Sequence, residues 1–471
     1  MQYRLLVVFL IIIYSASAQD STYTFSVDLS PAGSTKVIPF WMRSNQFGSV
    51  PNSGSYISGK VAVYKRFHPG DPRFFQWAAG SEVIANLAKS KNLFFTDLFV
   101  SGRAGPVELS LGQRKETGGL GGDSLLTSGP IAMSGNSRPF PKMQLCTPNY
   151  VTLVPEFELL AIKFSYSDGL LGPAGIGYGN VSAVKNIYLH KKSFYLRIGK
   201  PENRLHLLGG FNHQAIWGGE DKIFSGGLSP KVAYKYVVFG KSWSGSRVGN
   251  HFGTIDLAAE WKGKIWDIFL YRQSIYEDGS LINLSNIADG LNGLQIRKAA
   301  EKSRGFSLST LLFELLYTKN QGGSVFNFNT STFGRDNYFN HYVYNQGWSY
   351  RGESLGTPLI GPQNFTKEAL QTKNSKTFTV NNRIIAFHAG LRGTFHTLNF
   401  LFKSTYSINF GTYDNPFQKQ VSQTSFLLGL EKRIPFLNGC LINLGIASDL
   451  GDLYPKSFAS IIGLKKTGFL N

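Results

Sequence analysis

Charge is scarce in this chain, cysteine is nearly absent, and only the first residues hold a long apolar run. Asp, Glu, Lys and Arg together make up 16% of residues, against about a quarter in an ordinary soluble domain. A secreted soluble enzyme usually carries more charge. Only Cys146 and Cys440 occur. Two cysteines so far apart make no disulfide framework, and they are read as free thiols. No His, Cys, Asp or Glu spacing matches a metal site, and no cofactor is expected. After the N-terminus, no apolar stretch approaches the eighteen or so residues of a membrane helix.

The apolar run that does occur is Leu5 to Ile13, preceded by Arg4 and followed by Ala16-Ser17-Ala18. A short basic stretch, an apolar core and a small-x-small site make a secretory signal over residues 1–18. An exported chain without membrane helices is soluble, surface-attached or a β-barrel. The composition favours the barrel. Aromatics reach 14%, with 37 Phe and 22 Tyr, and there are 52 Gly. Lipid-facing strands and interfacial girdles account for such aromatics.

The alternation in Thr397 to Gly411 carries this further. Leu398, Phe400, Phe402, Tyr406, Ile408 and Phe410 share one parity, and Asn399, Lys403, Thr405, Ser407 and Asn409 share the other. Side chains of a strand alternate faces, so one face is apolar and the other wet. About fifteen residues suits a tilted strand that crosses a bilayer. Phe402 is expected to face lipid and Lys403 the lumen. Leu160–Ser167, Phe194–Gly199 and Ile385–Arg392 repeat the pattern, with Lys163, Arg197 and Arg392 on the wet parity. Allowing about ten residues per spanning strand and a dozen or more for each connection, the length predicts roughly 16–20 strands. The expected fold is all-β: a large antiparallel transmembrane barrel over residues 56–471, after an N-terminal periplasmic or lumenal segment over 19–55. Gly118–Gly135 and Gly169–Gly179 read as surface loops. A short helix is expected around Ile296–Lys302.

There are 48 Lys and Arg against 29 Asp and Glu, a net charge of +19. In an exported barrel this excess sits on loops and lumen, and it suits an anionic partner: acidic polysaccharide or lipopolysaccharide phosphates. Nucleic acid is not expected. Gly352-Glu353-Ser354-Leu355-Gly356 matches G-x-S-x-G, but Pro358 and Pro362 follow and no helix can start there. No nucleophile, base and orienter occur together, so no catalytic residue is assigned.

Several phrases, in order along the chain, resemble the Wzi-like capsule-assembly family in its Bacteroidetes-type members. They are Pro39-Phe40-Trp41 with Asn45-Gln46-Phe47-Gly48, His190 to Arg197 running into Gly199-Lys200, Gly210-Phe211-Asn212-His213-Gln214 with Trp217-Gly218-Gly219, Asp289 to Leu294, Thr318 to Gly322, Asp336 to His341, Gly347-Trp348-Ser349-Tyr350 and Gly356-Thr357-Pro358. The resemblance implies an outer-membrane barrel of about 18 strands, a non-enzymatic lectin that attaches capsular or exopolysaccharide to the cell surface. The barrel is expected to be a monomer in outer-membrane lipid. Sugar binding needs flat aromatic faces and groups for hydroxyls and carboxylates. Trp217, Trp348, Tyr338, Tyr350, His341, Arg197, Arg335 and Arg351 are the candidates. The alternatives are a porin-like channel for anionic solutes and a barrel enzyme acting on lipid or glycan. The signal predicts that the mature protein begins at Gln19. N-terminal sequencing of the membrane-extracted protein checks this, and an intact Met1 contradicts it.

Overall fold

A computed structural model describes residues 22–470, except 53, 69, 278–283, 300–304, 328–331, 375 and 438. The signal therefore lies outside the described residues.

Eighteen strands run up and down in sequence order: β1 (Tyr23–Ser34), β2 (Tyr56–Lys65), β3 (Phe75–Leu87), β4 (Lys91–Ala104), β5 (Val107–Gln113) and β6 (Lys142–Cys146). Then come β7 (Leu160–Gly175), β8 (Ala183–Ile198), β9 (Leu205–Trp217), β10 (Asn250–Trp261), β11 (Trp266–Tyr276) and β12 (Gly290–Lys298). The last six are β13 (Phe306–Tyr317), β14 (Ile384–Phe395), β15 (Leu398–Gly411), β16 (Pro416–Ile434), β17 (Cys440–Gly451) and β18 (Ser457–Phe469). A two-residue piece, Val151–Thr152, continues the pairing of β6 along β7. Each strand pairs antiparallel with the next, and β1 pairs with both β2 and β18, which closes the barrel. Closure removes the unpaired edges that a bilayer forbids.

The two faces separate as the alternation predicts. Val61, Leu109, Leu111, Phe194, Phe211, Leu257, Leu270 and Phe387 stand exposed on the outside. Phe75, Trp77, Trp261, Trp266, Phe306, Phe395 and Phe469, all exposed, sit at strand ends on one rim. They form the aromatic girdle of a membrane barrel. Lys403 is 4% exposed and its Nζ donates to the Thr127 carbonyl inside the barrel, while Phe402 points outward. Arg392 is likewise inward, 3.2 Å from Asp123.

The connections differ between the two ends. Those after the odd-numbered strands include 35–55, 114–141, 218–249 and 318–383. Those after the even-numbered strands include the two-residue turns 105–106 and 396–397. In bacterial barrels short turns face the periplasm and long loops the exterior.

Eighteen strands enclose too wide a space for wall side chains to fill, and three long loops enter it. Phe40 and Trp41, Leu126 and Ile131, and Tyr338, Phe339, Trp348, Leu355 and Ile360 form one buried cluster with Phe252, Tyr271 and Leu312 of the wall. The backbone of 114–141 finds its hydrogen bonds on inward polar side chains. Leu120 N–H donates to Asp256 (2.9 Å), Asp123 N–H to Gln295 (2.6 Å) and Ile131 N–H to Gln273 (2.9 Å). Ser128 N–H donates to Glu314 at 2.6 Å, and the Thr127 hydroxyl to the same carboxylate at 2.7 Å.

Four expectations are corrected. The stretch expected as one periplasmic or lumenal segment before the barrel divides: Tyr23–Ser34 is β1, part of the wall, while the following loop enters the lumen. Pro31 obscured this strand; it falls where the β1/β18 ladder skips from Leu29 to Ala32. Gly118–Gly135 is no surface loop but crosses the lumen, because its glycines allow the backbone to approach the wall. Gly169–Gly175 belongs to β7, which kinks at Gly172 where its register shifts. Ile296–Lys298 is strand, and 300–304 lies outside the described residues.

Glu314 is the anchor whose loss should be felt most. Glu314→Ala leaves two loop donors and the Tyr271 hydroxyl without their acceptor, a loss of about 3 kcal/mol or more. Limited proteolysis should then cut within 114–141 in folded barrels, where the wild type resists.

Candidate solute path and loop-end groove

A string of cavities follows the inner wall of β3–β9. The first, about 270 Å³, opens at the long-loop end and is lined by Lys89, Arg138, Arg351 and Glu353 among others. The second holds only about 20 Å³, room for about one water, and shares Arg138 with the first. The third, about 320 Å³, shares Arg114 and Glu116 with the second and continues to Lys115, Lys163 and Lys191 near the short-turn half. A further lumenal cavity of about 650 Å³ lies against β13–β18 on the short-turn side.

The constriction is built where loop 114–141 leaves β5. Glu116 accepts from Lys142 at 2.5 Å and Lys191 at 3.1 Å, and from the Gln144 amide at 3.1 Å. Arg114 pairs with Glu108 at 2.5 Å, and Lys115 with Glu82. Burial pushes the Glu116 carboxyl up, but Lys142 and Lys191 outweigh it and hold the group well below the usual carboxylate range. The string carries eight cations against three carboxylates, Glu108, Glu116 and Glu353. Lys163, Arg138 and Arg351 make no ion pair with any described carboxylate. The lining of the string is therefore net basic.

At the mouth, Arg138 lies over the Phe94 ring at 3.4 Å, with its Nε buried and unpartnered. Burial and the charge of Arg351 together push its guanidinium below its ordinary value. Arg351 tips a hairpin whose arms are Ser349–Tyr350 and Glu353–Ser354. Both turn residues, Arg351 and Gly352, have positive φ, 54° and 80°. Asn, Asp or Gly is the usual choice at the first of these positions, so an arginine is held there against its preference. Burial raises the Glu353 carboxyl, opposed by Arg43 and by the Asn136 and Asn52 amides. On the far side of Arg351 lies a groove of about 320 Å³ lined by Asn345, Gln346, Tyr350, Gln363, Asn364 and Phe378. Both polar atoms of the Gln346 amide are buried there without partners.

The candidates from the sequence do not form one site. Tyr350 and Arg351 reach this groove. Trp348 and Tyr338 are 1% and 0% exposed inside the lumenal core. Trp348 Nε1 donates to the Ala132 carbonyl and the Tyr338 hydroxyl to Asp289, so neither offers a free ring face. His341 accepts from the Val343 and Tyr344 amides; burial, aided by His251, lowers it to about 3. It is a neutral brace. Arg335 pairs with Asp414, 2.5 Å apart, on the surface. Arg197 lies over the Tyr150 ring near the third cavity. Trp217 sits on the outer face, packed against Tyr188 and Tyr234.

The family-motif residues divide likewise. Pro39, Phe40, Trp41, Asn45, Gln46 and Gly48 belong to the loop inside the barrel, where Trp41 Nε1 donates to Thr405. Asn212 and Gln214 point inward, His190 and His213 outward. Gly218 and Gly219 open the connection after β9 with positive φ. Arg138 and Lys142 carry no motif in the sequence, and Lys191 stands only within the His190–Arg197 phrase; the signal for their charge was the basic excess. Ser354 is buried and bonds the Asn136 amide and the carbonyls of Gly356 and Thr357. Its motif is thus a hairpin arm, and a Cβ at Gly356 would lie 1.9 Å from the Ile131 carbonyl.

No known protein family and no curated protein matches this sequence. Among solved structures, OccAB4 of Acinetobacter baumannii is 10% identical over 95% of this chain and 98% of its own, with a TM-score of 0.48. OccK5 (OpdH) of Pseudomonas aeruginosa is 9% identical over 96% and 99%, at 0.49. A loop-deletion variant of OmpT, an outer membrane protein of Vibrio cholerae, is 9% identical over 95% and 99%, at 0.36.

The depressed Glu116 sets a pH expectation. A lowered folded value contributes stability above the unfolded value, near 4.3, and that stability is lost as pH falls through the folded one. Protease protection of 114–141 should therefore hold from pH 7 down to about 4. Glu116→Gln should weaken it already at pH 7, read by the cleavage rate.

Proposed function

We propose that the protein is a non-enzymatic outer-membrane barrel that passes small anionic solutes along the β3–β9 wall. The observation that carries this reading is the shared lining of the three cavities. Arg138 joins the first to the second, and Arg114 and Glu116 join the second to the third. A low-dielectric channel lined mostly by one sign concentrates ions of the opposite sign. The Glu116 cluster is the gate: at about 20 Å³ it holds no solute larger than about one water. Passage requires Lys142 and Lys191 to exchange Glu116 for the solute's own anionic group. Loop 114–141, held by hydrogen bonds to the wall, keeps the gate in place.

In planar bilayers under a salt gradient, the reversal potential should show anion preference. Lys142→Gln with Lys191→Gln should cut that preference several-fold. Cation preference in the wild type contradicts the proposal.

A second reading is favoured by the groove at the loop end. Amides, the Tyr350 and Phe378 rings and the Arg351 guanidinium line it and suit a sugar bearing a carboxylate. Attachment of acidic capsular or exopolysaccharide, as the sequence resemblance implies, would use this surface rather than Trp217 or Trp348. Absent conductance together with glycan-array binding that Arg351→Gln abolishes favours this reading over the channel.

A further inference from the structure

The outer wall of β7–β11 is not apolar over its full height. On β8, β9 and β10 the outward apolar positions reach Phe194, Phe211 and Ile255. The next outward positions towards the long-loop end are Lys192 and His190 on β8, His213 on β9, and Gly253 followed by His251 on β10. These groups bond among themselves and to neighbours on the same face. His213 Nε2 lies 2.8 Å from His251 Nδ1, and His190 Nδ1 lies 2.9 Å from Asp168. Hydrocarbon would leave such groups unsolvated.

The connection after β9 covers them. It contains α1 (Pro230–Phe239), a ten-residue helix lying outside the barrel. Ala233 and Val237 pack inward with Ala215, Trp217 and Val248. The Tyr234 hydroxyl donates to Asp168 at 2.7 Å, and Lys192 Nζ donates to the Val238 carbonyl. Here the helix, not the strands, meets the surroundings of the barrel. Its outward stripe is Lys231, Lys235 and Phe239 at four-residue spacing, with Val232 beside it, all exposed. Phe239 is 68% exposed. The stripe lies beyond the apolar belt on this face and sets two ammonium groups beside Val232 and Phe239. Apolar side chains flanked by lysines are the signature of a helix lying in a bilayer interface.

We propose that α1 binds outer-leaflet lipopolysaccharide: Lys231 and Lys235 take the lipid A phosphates, and Val232 and Phe239 enter the acyl layer. The inference rests on the membrane-barrel reading and is independent of the solute path. Charge complementarity and continuity with the lipid-facing belt select this occupant over a protein partner.

The test is native mass spectrometry of the full chain in mild detergent, titrated with bisphosphorylated lipid A, dephosphorylated lipid A and inorganic phosphate. Wild type should retain bisphosphorylated lipid A, and K231Q/K235Q should weaken retention roughly tenfold or more. F239S should weaken it as well. All variants should keep faster gel migration when unheated, which shows a closed barrel. Equal retention by wild type and K231Q/K235Q overturns the proposal. So does equally tight binding of dephosphorylated lipid A, or displacement by inorganic phosphate at lipid A concentrations. Crosslinking of α1 to a second protein with lipid A retention unchanged in K231Q/K235Q overturns it in favour of a protein interface. Loss of heat-modifiability in the wild type would instead sink the barrel reading itself.

Discussion

The bonds between inward polar side chains and the backbone of loop 114–141 hold the interior of this barrel together. A chain crossing a wide lumen must satisfy its amides and carbonyls away from a sheet. Here the wall supplies the partners: Asp256, Gln273, Gln295, Glu314, His388 and Lys403, from six different strands. Once the loop is fixed, Leu126 and Ile131 become a floor on which the 318–383 and 35–55 loops pack. The interior thus behaves as a small globular core built inside a membrane wall.

This arrangement leaves space where the loop is not. The loop leaves β5 beside a cluster of lysines and arginines, so its own root becomes the narrowest point of the remaining path. Glu116 neutralises two lysines there and closes the gap. The same carboxylate holds the root of the loop in place and, in the proposed solute path, serves as the gate; its low protonation tendency preserves the cluster over the ordinary pH range. At the mouth, the strained Arg351 turn and the unpaired Arg138 leave positive charge uncompensated on the exterior side.

The outer surface obeys a separate constraint. Polar groups on β7–β11 could not face lipid, so the chain after β9 folds back over them. Trp217 reads as a sugar-binding candidate in the sequence because it is aromatic and set among polar residues, and His190 and His213 belong to the family phrases around it. Their shared place is under a helix on the outer wall, on the opposite side from Asn212 and Gln214, their neighbours in the chain.

Period-two alternation determined the sides of Phe402 and Lys403 and, with composition and chain length, the fold class and the approximate strand number, because each strand's faces meet lipid or water directly. The basic excess was also legible, as a count. The sequence could not show that the Gly118–Gly135 stretch enters the lumen, nor that Pro31 sits within a strand. A glycine-rich loop has the same local pattern in solvent and against a wall. The placement of Trp348 in a core, of Trp217 outside the barrel and of Arg138 beside Arg351 followed from closure of the sheet. Closure joins residues hundreds of positions apart, and no local spacing encodes which of them meet.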